Sequence, residues 1–94
     1  AVGVDDPKLN HEGNLQVYPN PSSGRFNIVF RNKIFRDIQL EVYSLSGKRI
    51  YNEKVPKMGI NENHTLTIPE SQAGIYLLRV RSREDIYTRK LIVE

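Results

Sequence analysis

The 94-residue chain has no cysteine, no tryptophan and a single methionine. Without cysteine there are no disulfides, no thiolate metal sites and no thiol nucleophile; the compartment stays open, because oxidising locations permit disulfides without requiring them. With neither a Trp nor a Cys pair, an antibody-type domain is not expected. Long apolar runs are missing as well. No stretch approaches the roughly 18 residues of a transmembrane helix, and no charged-then-apolar leader opens the sequence. The chain begins at Ala1 rather than Met, as expected of a fragment or processed piece of something longer, on whose other part a leader could lie. Histidine is scarce. His11 and His64 lack a partner at ligand spacing, and the oxygen-rich residues 61–64 lack the spaced carboxylates of a calcium loop, so no metal is expected. Ser22, Ser23, Ser44, Ser46 and Ser71 all fall in expected turns with no adjacent base, and Gly24, Gly47, Gly59 and Gly74 are isolated, which excludes a phosphate loop. The residues therefore point to no cofactor and to no enzyme.

What the sequence does contain is short alternation. Residues 15–18 form a brief strand ending at Pro19-Asn20-Pro21-Ser22-Ser23-Gly24, the strongest local signal in the chain. Each proline fixes its own φ and drives the preceding residue toward extended geometry, and Gly24 permits a positive φ at the return. Residues 25–30 put Phe26, Ile28 and Phe30 on one face, after which 32–36 reads as a basic connection. Residues 37–43 alternate Ile38, Leu40 and Val42 against Gln39, Glu41 and Tyr43. A tight turn at 44–47, with Gly47 left-handed, leads to a strand over 48–55. Residues 56–61 break the pattern, and 62–68 carry Leu66 and Ile68 inward. From Gly74 the chain reads as a terminal hairpin, with Tyr76, Leu78 and Val80 to one side and Ile75, Leu77, Arg79 and Arg81 to the other. Its return strand, 86–93, brings the sequence to its end with nothing expected to cover it. Seven short strands with one apolar and one polar face predict an all-β fold, an immunoglobulin-like antiparallel β-sandwich of about seven strands, with a small barrel as the alternative. Residues 1–13, acidic and without periodicity, read as a linker from an upstream domain, and residues 14–94 as the folded unit.

The formal charge is +3. Its basic groups, Arg31, Lys33 and Arg36, then Arg79, Arg81 and Arg83, then Arg89 and Lys90, accompany no nucleic-acid motif, so they read as solvated strand faces that discourage edge association, and no nucleic-acid partner is expected. The exposed tyrosines, Tyr43 and Tyr87 foremost, keep a carbohydrate-binding or adhesive module as a second reading.

The succession YPNPSSGRF, VYSLSGKRI, AGIYLLRV and TRKLIVE resembles the C-terminal sorting domain of type IX secretion cargo from the Bacteroidetes, over about residues 15–94. Pro19, Asn20, Pro21 and Gly24, then Gly47, then Gly74 and Tyr76, then Lys90, Leu91, Ile92 and Val93 align with that family's pattern. An aspartate common three residues before the middle glycine is replaced here by Ser44, which can serve the same turn. The resemblance implies a folded export signal on a larger cargo that enters the periplasm, is recognised by the outer-membrane translocon, and is then cut off by a sortase-like peptidase as the cargo reaches the cell surface. It further implies that Lys90, Leu91, Ile92, Val93 and Glu94 are the recognised segment, that Pro19 to Gly24 chiefly stabilise the fold, and that deleting the last five residues leaves the sandwich largely folded. Self-association through an exposed strand stays open.

Overall fold

The computed structural model describes residues 14–69, 72–83 and 85–94. Seven strands fall in the expected order: β1 (Leu15–Tyr18), β2 (Arg25–Phe30), β3 (Phe35–Ser44), β4 (Arg49–Met58), β5 (Asn63–Thr67), β6 (Gly74–Arg81) and β7 (Ile86–Val93). They form a three-stranded sheet, β1-β2-β5, and a four-stranded sheet, β4-β3-β6-β7, in which every strand pair is antiparallel. The linker expected over residues 1–13, with His11, and the turn at Ser71 lie outside the described residues.

Alternation places the core. Phe26, Ile28 and Phe30 from one sheet face Ile38, Leu40, Val42, Leu78, Val80, Leu91 and Val93 from the other, all buried. Removing this much apolar surface from water is the main favourable contribution, at about 25 cal/mol per Å². Two core members lie where a break in the pattern was expected. Phe35 stacks on Phe30 with ring centroids 3.8 Å apart, and Tyr87 stands edge-on to Phe35 at 6.0 Å. Met58 closes the same end of the sandwich, paired across from Phe35.

Strands β3 and β4 are therefore longer than their alternation suggests. The ladder passes from Arg36 opposite Lys57 to Ile38 opposite Val55, which leaves Asp37 facing Pro56. Asp37 is left-handed (φ 54), a conformation that Asp tolerates, and Arg83 holds its carboxylate at 2.9 and 2.5 Å. A proline is admissible in β4 because that strand is an edge. One irregular residue pair thus hides a continuous hairpin from a period-two reading.

The turns behave as expected. Gly24 and Gly47 have φ of 119° and 92°. At the second, the Gly47 N–H donates to the Ser44 carbonyl (2.9 Å) and the Lys48 N–H to Ser44 Oγ (3.3 Å), so the serine side chain takes part in closing the turn. A Cβ at Gly47 would meet nothing within 4 Å, so only backbone strain opposes a side chain there. Gly47→Val is expected to lower the unfolding free energy by about 1 kcal/mol or more. Gly24→Val should do the same. Urea unfolding measures both, and unchanged midpoints would contradict the turn assignments.

Candidate recognition site at the corner and the last strand

Strand β7 pairs with β6 along one edge only, and its other edge is the rim of the four-stranded sheet. Such a rim offers unpaired N–H and C=O groups at every second residue. Here the 19–24 corner takes up those of the last turn of strand. The Asn20 side chain donates from Nδ2 to the Lys90 carbonyl (2.7 Å), and its Oδ1 accepts from the Ile92 N–H (2.9 Å). Ser22 continues the ladder with its backbone: its N–H donates to the Ile92 carbonyl and its carbonyl accepts from the Glu94 N–H, both at 2.9 Å. The result is a parallel bridge between Ser22 and Val93. A carboxamide is a peptide group on a short stalk, and Asn20 uses it to extend the bridge by one more step.

The corner is itself held by Ser22. Its Oγ accepts from the N–H groups of Gly24 (3.2 Å) and Arg25 (3.1 Å) and donates to the Arg25 carbonyl. The peptide bonds Tyr18–Pro19 and Asn20–Pro21 are both cis. Ser22 is buried whereas Pro19, Asn20 and Pro21 are exposed. Sequence reasoning treats Ser22 as an ordinary turn residue; the signal that could single it out is its place three residues before Arg25, at the spacing of a serine-stabilised turn.

This geometry corrects three expectations. The end of the last strand is covered, because the corner occupies its outer edge at Lys90, Ile92 and Glu94. Residues 90–94 are not one exposed segment: Leu91 and Val93 point into the core at 0% and 4% exposure, while Lys90 and Glu94 are exposed and Ile92 is half-buried. Deleting them would therefore remove core side chains and strip the corner of its partners, so a largely folded sandwich is not to be expected after it. Gly74 and Tyr76 stand on β6 directly opposite Val93 and Leu91 of β7, and the Tyr76 hydroxyl donates to the Gln72 carbonyl (2.8 Å). Of the aligned positions, only Gly47 lies apart, in the β3–β4 turn.

The same margin is closed from inside by Arg89. It is an inward-facing residue whose guanidinium reaches the carbonyls of Thr88 (3.1 Å) and Leu15 (3.4 Å) and lies over the Tyr87 ring. Across the sandwich, Glu53 on β4 meets His64 on β5 at 3.0 Å and accepts from the Tyr51 hydroxyl. Burial first, then the bond to Glu53, pushes the Tyr51 hydroxyl up to about 12. Thus His64 has an acidic neighbour that its sequence surroundings do not disclose.

The tyrosines do not form a platform. Tyr87 is 4% exposed and belongs to the core, which corrects its candidacy as a sugar contact. Tyr43 and Tyr18 lie on different sheets. Among the described residues no group of three His, Asp or Glu side chains could hold a metal ion.

A family model described as the secretion system C-terminal sorting domain matches residues 16–94. No curated protein matches the chain. Among solved structures, the fold is similar to that of a DUF3244-family protein from Bacteroides vulgatus, described as an immunoglobulin-like β-sandwich. That similarity has a TM-score of 0.69 at 16% identity and covers 86% of this chain and 85% of that one.

Replacing Asn20 by Ala removes two bonds to β7 at once and is expected to lower stability by about 1–2 kcal/mol. Ser22→Ala, which removes three bonds of a buried hydroxyl and leaves the Gly24 and Arg25 N–H groups without it, should cost at least as much. Chemical unfolding of the two variants checks the order; equal, negligible losses would mean that the corner does not hold the strand.

Proposed function

Because the chain belongs to the family of secretion-system C-terminal sorting domains, we propose that it serves as a folded address on an exported cargo and performs no chemistry of its own. The observation that carries this reading is the family match over residues 16–94, which takes in the corner, the middle turn and the last strand together. A type IX sorting domain implies a cargo precursor, the secretion machinery and export to the cell surface or beyond. The finer course follows the same family. The precursor crosses the periplasm, the outer-membrane translocon engages the domain, and a sortase-like peptidase cuts within the acidic residues 1–13, releasing the cargo for attachment at the surface.

On this reading the recognised feature is the last strand as the corner holds it. Lys90, Ile92 and Glu94 supply the readable groups. Leu91 and Val93 anchor them to the core, and Pro19, Asn20, Pro21 and Gly24 fix the edge on which they stand. Strand addition by a partner sheet is supported only along the first half of β7, where the outward groups of Ile86 and Thr88 have no backbone partner among the described residues.

The test is a fusion of residues 1–94 to the C-terminus of a periplasm-targeted reporter in a host with a working type IX system. The unmodified fusion should reach the surface or the medium. A Lys90→Ala, Ile92→Ala variant leaves the core side chains in place, so it should keep its melting temperature and lose most of the export. Full export of that variant would overturn the assignment of recognition to this strand, and retention of the unmodified, folded fusion would overturn the sorting role.

A further inference from the structure

The two outer faces of the sandwich differ in kind. On the three-stranded sheet, Asn27 accepts from the side chains of Asn63 (3.2 Å) and Thr65 (3.1 Å), with Arg25 beside them and Arg31 bound to Gln16. The four-stranded sheet presents a different surface, whose order follows from the register. Lys54, Gln39, Arg81 and Ile86 form one row across it; Asn52, Glu41, Arg79 and Thr88 the next; Arg49, Tyr43, Leu77 and Lys90 the third. Ile75 and Ile92 complete the far end. Within these rows five cations stand against the single carboxylate of Glu41, and Ile75, Leu77 and Ile86 are 41%, 37% and 68% exposed.

Glu41 is what organises the cations. It is 2% exposed, yet it lies on the outward side of β3, roofed by Arg49 (3.1 Å), Arg79 (3.5 Å) and Arg81 (3.7 Å). Arg79 also covers the Tyr43 ring, and Arg81 donates to Gln39 (3.2 Å). One carboxylate cannot neutralise three guanidiniums, and each of them remains more than two-fifths exposed. The buried charge thus fixes an array of donors in the plane of the sheet with positive charge left over. Preset guanidiniums match carboxylates in a planar, bidentate way and lose little freedom on binding. The flanking aliphatic side chains share that face, so it combines apolar and charged groups as interfaces do.

We propose that this face is a second docking surface, and that its occupant is a protein segment presenting carboxylates alternating with aliphatic side chains. It shares the Lys90 and Ile92 side chains with the sorting role, and to that extent rests on it. A protein fits the surface better than an anionic membrane does, because the guanidiniums set by Glu41 suit planar, bidentate carboxylates and the aliphatic side chains are spread through the rows among them.

The experiment titrates the full 94-residue chain with a soluble peptide alternating Glu and Val, and with its Gln-Val counterpart. Pairing along the β7 edge would not separate the two peptides, whereas the arginine face would. The Glu peptide should bind about tenfold more tightly at low salt. The preference should vanish in a Glu41→Gln, Arg49→Gln, Arg79→Gln, Arg81→Gln variant, which removes all three guanidiniums and strands no buried carboxylate, and persist in Arg25→Gln on the opposite face. No preference in the wild type, or a preference that survives in the quadruple variant, would overturn the proposal. So would capture by phosphatidylglycerol vesicles without binding to the Glu peptide. If the peptide preference holds while the reporter fusion is not exported, the sorting role fails and this surface stands; export without the preference overturns this surface and leaves the sorting role standing.

Discussion

The carboxamide of Asn20, holding the Lys90 carbonyl and the Ile92 N–H, is the contact on which the margin of the larger sheet depends. An edge strand with free backbone groups invites pairing with any other chain, and most domains blunt it with charge, bulges or a covering loop. This chain covers the last turn of β7 with a loop from the opposite end of its own sequence, 70 residues away. The corner is in turn fixed by Ser22, and Arg89 closes the seam between β7 and β1 from within. Sheet, corner and core are consequently one cooperative unit. A side chain lost at Leu91 or Val93 affects all three.

That dependence bears on how a folded signal can be read. Alternation divides the last strand between two duties, with Leu91 and Val93 holding it to the core and Lys90 and Ile92 displayed on the outer face. The display is therefore as rigid as the packing beneath it. Rigid presentation lowers the ordering cost that a flexible tail would incur on binding. Glu41 extends the same logic across the sheet. Burial pushes its carboxyl up, but the bonds from Arg49, Tyr43 and Arg79 and the charge of Arg81 outweigh that and leave it below its ordinary value. A carboxylate whose acidity is strengthened by folding contributes stability above its unfolded pKa and loses that contribution as the pH falls through the folded one. Glu53, also lowered against the effect of burial by Tyr51 and His64, acts in the same direction. Both link the fold to the ionised state of its carboxylates.

Much of the architecture was legible in the sequence because period-two alternation is a direct consequence of a half-buried sheet. Strands β1, β2 and β7 fall on the residues their patterns indicate, and the glycines at 24 and 47 are left-handed as their turns require. The hairpin of β3 and β4 was legible only in part. Asp37 and Pro56 interrupt the alternation at the same level, so Phe35 and Met58, both core, looked like members of connections. The site was legible as a set of residues and not as an arrangement. Asn20 and Lys90 could each be noted, but no local pattern reports a hydrogen bond between residues so far apart in sequence. For the same reason the arginines of β6 read as solvated, although β6 is an interior strand and its cations converge on a glutamate from β3.

Hydrogen exchange at individual amides of β7 tests most directly whether the corner holds the last strand. Thr88, Ile92 and Glu94 all point their N–H groups away from β6, and differ in whether the corner reaches them. If the corner forms part of the sheet in solution, the Ile92 and Glu94 amides exchange slowly, through openings as rare as those of the interior strands, while Thr88 exchanges fast. Exchange at Ile92 and Glu94 as rapid as at Thr88 would show a free edge, and would contradict the account of a strand presented by its own N-terminal corner.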